Sequence, residues 1–229
     1  MKACVVIRAL NERLCDKSLM LASGLGFDQK LLWNTSALGY LTQLFTLGYD
    51  WVVSMDEDVF IWDCKAVLEL IEYMKAENYV CCGVSEGVRK CNPVVVNPFF
   101  TIINVGAMRD SFDLEKIRQC KITDEMKEGV PEHMKRDDSS YVTFEGYYSL
   151  FYWILKQGRM LYLDCERVPE IDPVRKWAMV VRNHLDVEFM VHCWWSREYY
   201  KDPKRFEKIE RYAEGRKEVT DDSDGRSDG

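Results

Sequence analysis

The sequence predicts an α/β fold, a mixed sheet flanked by helices, on three observations. Short continuous apolar runs at Cys4–Ile7, Trp51–Met55 and Tyr79–Val84 have the length and residue types of buried strands. Stretches with apolar residues at helical spacing lie between and beside them: Leu38, Leu41 and Phe45 within 36–47, then 67, 68, 70, 71 and 74 within Ala66–Lys75. Strands that alternate with helices build layers, because each helix buries its stripe on a sheet face.

Taken in order, the Cys4–Ile7 strand is left through Ala9-Leu10-Asn11-Glu12. The 36–47 helix has Ser36 as its cap and Gly48 as its stop. The Trp51–Met55 strand runs directly into Asp56-Glu57-Asp58. Further on, Phe99–Val105 is a strand, Tyr147–Lys156 a helix stopped by Gly158, and Met160–Leu163 another strand. Lys204–Arg216 is a charged surface helix. Residues 1–216 are expected to form one domain, without repeat or linker, and 217–229 a disordered acidic tail; its Asp, Ser and Gly residues from Asp221 onward have little to bury.

Composition narrows the function. With 229 residues and 47% hydrophobic residues, the chain supports a well-filled core. Lys plus Arg is 31 against 38 for Asp plus Glu, a net charge of -7, which argues against nucleic-acid binding and suits a divalent-cation site. The nine cysteines are odd in number, include the adjacent Cys81-Cys82 and form no CxxC pair. They are expected to be buried free thiols in a reducing compartment. No apolar run approaches the ~18 residues of a membrane span. The expected location is cytoplasmic, with any membrane association through a partner.

Four groups carry chemistry. Asp56-Glu57-Asp58 follows the end of a strand, where open α/β sheets collect ligands, and Asp56 and Asp58 can share a hard cation. The plain alternative is a solvated acidic turn. His192-Cys193-Trp194-Trp195-Ser196-Arg197 ends the apolar run Phe189-Met190-Val191. There His192 can ligate metal, Arg197 can hold diphosphate oxygens and an indole such as that of Trp194 can stack on a sugar; the alternative is core packing. Thr143-Phe144-Glu145 opens a predicted helix, where Glu145 can act as a general base or merely complement the dipole. Arg89, near Asn92-Pro93 and Asn97-Pro98, can meet a phosphate or stand free on a loop.

In their order along the chain these pieces resemble the GT-A glycosyltransferases, particularly the large inverting family 2 that includes dolichol-phosphate sugar synthases. Val5-Val6-Ile7-Arg8-Ala9-Leu10-Asn11-Glu12 is similar to that family's first strand and nucleotide loop, Trp51–Asp58 to its DxD strand, Glu145 to its acceptor-side acid and His192-Cys193-Trp194 to its late His segment. The resemblance covers roughly residues 1–200. It implies a Rossmann-type mixed sheet and transfer of a sugar from a UDP- or GDP-sugar to a glycan, lipid-linked or protein acceptor. Asp58 would hold Mn2+ or Mg2+ directly, Asp56 would contact the ribose or the metal shell, and His192 would be a further ligand of the metal or the diphosphate. Glu145 would be the base of an inverting attack, and Leu10 and Asn11 would border the nucleotide. The stretch from Asn11 to Asp56 is shorter than the family's by about one strand–helix unit, the one carrying an acidic residue for the base, and Arg8 replaces the family proline.

Three alternatives remain open. Met55-Asp56-Glu57-Asp58-Val59 also resembles the DxDx[TV] motif of haloacid-dehalogenase-type phosphatases, with Asp56 as nucleophile and Ser85 as second motif. Asp58 with Glu145 could serve a glycoside hydrolase. A degenerate GT-A domain would bind a sugar or partner without turnover.

Overall fold

The computed structural model describes residues 1–142 and 145–224, and only the backbone of 221–224. The first half holds the expected strands and helices together with others: β1 (Ala3–Ala9), α1 (Glu12–Ala22), β2 (Asp28–Trp33), α2 (Ala37–Leu44), β3 (Trp51–Asp56), β4 (Val59–Ile61), α3 (Cys64–Ala76), β5 (Tyr79–Ser85) and β6 (Val96–Asn104). Short helices α4 (Val105–Met108), α5 (Leu114–Gln119) and α6 (Asp124–Glu128) lead towards α7 (Tyr148–Gln157), β7 (Arg159–Leu163), β8 (Cys165–Arg167), β9 (Met179–Arg182), β10 (Glu188–His192) and α8 (Pro203–Asp224).

Two sheets result. The larger has six strands in the order β2-β1-β3-β6-β5-β7, and the smaller four in the order β4-β10-β9-β8. In the larger sheet β1 is parallel to β2 and β3, β5 is parallel to β7, and β6 runs antiparallel between β3 and β5. It is a mixed α/β sheet, as the sequence predicts.

Alternation along β1 explains the layers. Val5 and Ile7 face one core with Val53 and Met55 and with Val67, Leu70, Ile71 and Met74 of α3. Cys4 and Val6 face another with Tyr40, Leu41 and Leu44 of α2 and with Phe151 and Ile154 of α7. Tyr40 is fully buried, and its hydroxyl donates to the Val6 carbonyl at 2.6 Å and accepts from Ser54 Oγ at 3.0 Å, so its polar end is satisfied. The predicted cap Ser36 holds, its Oγ accepting from Gly39 N at 3.1 Å, but α2 already ends at Leu44 with Phe45 as its C-cap, and Gly48, at φ +75°, lies in the turn beyond. All nine cysteines are free, and Cys4, Cys15, Cys81, Cys82 and Cys193 are buried.

The pattern departs from expectation at several places. Strand β6 starts at Val96 and stops at Asn104, whose side chain caps α4, so Val105 is already helical. Helix α1, the edge strand β2, strands β4, β8 and β9 of the smaller sheet and the short helices α4, α5 and α6 have no counterpart in the sequence expectation. Helix α8 continues through 217–224, beyond Arg216. There Arg216 pairs with Glu188 at 2.5 Å and Thr220 Oγ1 donates to the Arg216 carbonyl at 3.0 Å, ties that composition does not reveal. Residues 225–229 of the expected tail lie outside the described residues. No described helix is long and apolar enough to cross a membrane.

Candidate functional site

The acidic triplet is the corner where the chain passes between the sheets. Asp56 is the last residue of β3 in the large sheet, and Val59 is the first of β4 in the small one. Register then decides what meets it. His192, at the end of β10, pairs with Val59, and Cys193 N donates to the Asp58 carbonyl at 2.9 Å. His192 Nε2 therefore lies 3.3 Å from Asp58 Oδ1, with side-chain exposures of 2% and 4%.

The three carboxylates have different partners. Asp56 Oδ2 accepts from Arg8 Nη2 at 2.6 Å. Burial pushes the Asp56 carboxyl upward, against the opposing pull of the Arg8 cation. Glu57 turns the other way: its Oε2 accepts from Leu10 N at 2.9 Å, and its carbonyl accepts from Ser18 Oγ of α1, also at 2.9 Å. Burial, and then the charge of Asp58, push Glu57 up to about 8. Asp58 Oδ2 accepts from Ser196 N at 3.1 Å. Asp56 Oδ1, Asp58 Oδ1 and His192 Nδ1 are buried without a hydrogen bond.

Aromatic rings wall the His192 side. Phe99 of β6 stacks on the imidazole, 4.0 Å between centroids and 15° between planes. Trp194 leans on it at 4.5 Å, and its Nε1 donates to Met179 Sδ at 3.0 Å. Arg89 lies over Trp194 at 5.6 Å and pairs with Glu86 at 3.5 Å. The structure thus brings Arg89 and Trp194 to the Asp58–His192 pair. Arg197 is exposed on the turn beyond it.

Glu86 is a carboxylate the sequence reading misses. It is fully buried at the end of β5, accepts from Asn97 Nδ2 at 3.0 Å and from the Tyr147 hydroxyl, and keeps Oε2 without a partner. Burial pushes it up, opposed by the Tyr147 hydroxyl, Arg89 and the Asn97 amide. The available signal is the one that flags Asp56: an apolar strand running into an acid. Glu145 lies on the turn before α7, close enough for its charge to act on Glu86. Thr143 and Phe144 fall outside the described residues.

The N-terminal loop differs from expectation. Asn11 is 4% exposed, and its Oδ1 caps α1 by accepting from Leu14 N at 3.1 Å. Only its Nδ2 has no bond, and that atom is buried. Leu10 is 40% exposed at the end of β1. A cavity of about 140 Å³ lies beside Glu86, lined by Ser85, Gly87, His133, Arg136 and Asp164 among others; Asp56, Asp58 and His192 do not line it.

Among the described residues no set of three or more His, Cys, Asp and Glu side chains forms a metal cage. Fold and site together define an α/β protein with an acid–histidine pair at the junction of two sheets. No protein-family model matches the chain, and no curated protein matches it. Among solved structures it is similar to the crystal structure of A197 from STIV, with TM-score 0.44 and 11% identity over 82% of this chain and 93% of that one. A likeness this distant assigns no activity.

Proposed function

We propose that this chain is a metal-dependent glycosyltransferase of GT-A type, shortened in its N-terminal half, that moves a sugar from a UDP- or GDP-sugar to an acceptor hydroxyl. The observation that carries this reading is the approach of Asp58 and His192 to 3.3 Å, just past the strand that Asp56 ends. Ligands of open α/β sheets collect at such strand ends.

Asp58, His192 and Asp56 would hold Mn2+ or Mg2+. Their fit rests on the two Oδ1 atoms, both buried without a hydrogen bond. A closed protein cage is not required, since such cations are commonly held by one or two carboxylates with substrate phosphates and water. When bound, the ion supplies Lewis-acid stabilisation of the departing diphosphate.

The remaining roles belong to the chain's own side chains. Arg89, held between Glu86 and Trp194, offers guanidinium donors to phosphate oxygens. Phe99 and Trp194 keep water from His192. Glu145 takes the proton of the acceptor hydroxyl as its oxygen attacks the anomeric carbon from the face opposite the diphosphate, which inverts that centre.

A second reading rests on Arg8. Its guanidinium already neutralises Asp56 at 2.6 Å, as it would in a domain that binds a sugar without turnover. The same contact weighs against a phosphatase, whose Asp56 nucleophile would have to be free. Calorimetry with UDP and GDP separates the readings. Binding that requires Mn2+, with turnover of a UDP- or GDP-sugar, supports the transferase, and binding without turnover supports the second reading; no nucleotide binding, together with phosphate release from a generic ester, overturns it.

A further inference from the structure

Trp195 is 53% exposed, although a large indole gains most by burial. Its backbone is left-handed at φ +76°, a region that side chains other than glycine occupy only when their surroundings impose it. The surroundings here are well tied. Ser196 N donates to Asp58 Oδ2 at 3.1 Å, Glu198 N to the Trp195 carbonyl at 2.8 Å, and Arg205 Nη1 to the Trp194 carbonyl at 2.8 Å. Trp177 stands edge-on to Trp195, 6.1 Å between centroids and 79° between planes. Its backbone is held by the same scaffold, because Trp177 N and Ala178 N both donate to Asp172, the partner of Arg205.

Charge rings these two indoles. The Arg167 guanidinium sits 5.3 Å over Trp177, and Arg175 pairs with Glu198 at 2.9 Å, both side chains partly open to solvent. The exposed indole of Trp195, with Trp177 edge-on beside it and charged side chains on the neighbouring segments, matches the two chemistries of a pyranose ring. Its C–H face packs on an indole, and its equatorial hydroxyls bond to the charged rim. A lipid surface would ask for a broader apolar area without that rim.

We propose that the exposed indole of Trp195, braced by Trp177, is a stacking platform for a pyranose ring of a glycan acceptor. The assignment as acceptor rests on the transferase reading; the glycan site itself does not. Trp195 is one residue from Ser196, whose amide bonds Asp58, so the platform and the candidate site are held by the same turn.

The full chain is screened on a glycan array without nucleotide or metal, and hits are titrated by calorimetry. The expected result is at least one glycan whose Kd weakens tenfold or more in Trp195→Ala and in Trp177→Ala. Trp195→Phe, which keeps a ring, loses less. Trp195→Ala keeps the wild-type melting temperature because its indole is exposed, and Trp177→Phe substitutes if Trp177→Ala does not fold. No glycan bound, binding indifferent to both tryptophans, or Trp195-dependent binding to anionic lipid vesicles instead of glycans overturns the platform. UDP and GDP binding to the wild-type chain is measured separately. A chain that binds glycan through Trp195 but no nucleotide keeps the platform and loses the transferase reading.

Discussion

Arg8 and Asp56 are register partners on the adjacent parallel strands β1 and β3, and their side chains meet at 2.6 Å. The sheet itself therefore holds a cation against the first carboxylate of the acidic triplet. Side-chain exposures of 21% and 17% leave the pair partly screened by water, so its contribution lies below that of a closed pair.

Replacing Arg8 by Met leaves Asp56 without its cation. The expected loss is about 1–3 kcal/mol at neutral pH, the range for a partly buried pair deprived of one partner. Protonation of Asp56 relieves the unpaired charge, so the penalty shrinks as pH falls towards 5. Urea denaturation of both proteins at pH 7 and pH 5 checks the sign; an equal penalty at both values contradicts it.

Glu57 makes stability depend on pH in a defined direction. The folded chain keeps its proton up to about 8, whereas an ordinary glutamate releases it near 4.5. The contribution of this group is thus complete below about 4.5, declines as pH rises and is lost through about 8. Glu57→Gln can still accept from Leu10 N and carries no charge. Relative to wild type it should gain stability between pH 5 and pH 9, by roughly 3–5 kcal/mol from a shift of this size. Parallel denaturation curves across that range, without added divalent cation, measure it. A constant difference would show that Glu57 is already ionised at low pH.

Asp172 and Arg205 form a closed bidentate pair, 1% and 5% exposed, that fixes the backbones of Trp177 and Trp194. Arg205→Met should cost about 3–5 kcal/mol, because Asp172 is left charged and buried. The near-ultraviolet circular dichroism of the tryptophans should change with it. A stable variant with an unaltered aromatic signal would mean that the pair does not organise that wall.

Glu145→Gln tests the base. Nucleotide affinity should stay within about twofold, while transfer falls by roughly 10²–10⁴, the range for a general base. Transfer at the wild-type rate would remove Glu145 from that role.

The alternation of strands and helices is legible because β1, β3 and β5 are buried on both faces and read as unbroken apolar runs. Strand β2 escapes notice because Asp28, Gln29 and Lys30 are exposed on an edge; only backbone pairing with β1 makes them a strand. Helix α1 is announced by Asn11, whose side chain caps it, and the same asparagine is read as part of a nucleotide loop. In the site, Asp56 and Asp58 are found as acids after a strand. Their divergence is not, because Arg8 reaches Asp56 through register and His192 reaches Asp58 through pairing in the second sheet. Glu86 follows an apolar strand as Asp56 does, but its burial is not legible, because the Tyr147 hydroxyl that meets it comes from an element 61 residues away.

In the proposed function, the Asp58–His192 pair serves transfer of a sugar from a nucleotide donor. The most direct test is a mass-spectrometric screen of UDP- and GDP-sugars with Mn2+, following sugar loss from the donor in wild type and Asp58→Asn. At least one donor is expected to yield its nucleoside diphosphate only when Mn2+ is present, and at least ~100-fold more slowly in the variant, in line with loss of an electrostatic stabiliser. Consumption of no donor, or consumption indifferent to Asp58, would contradict it.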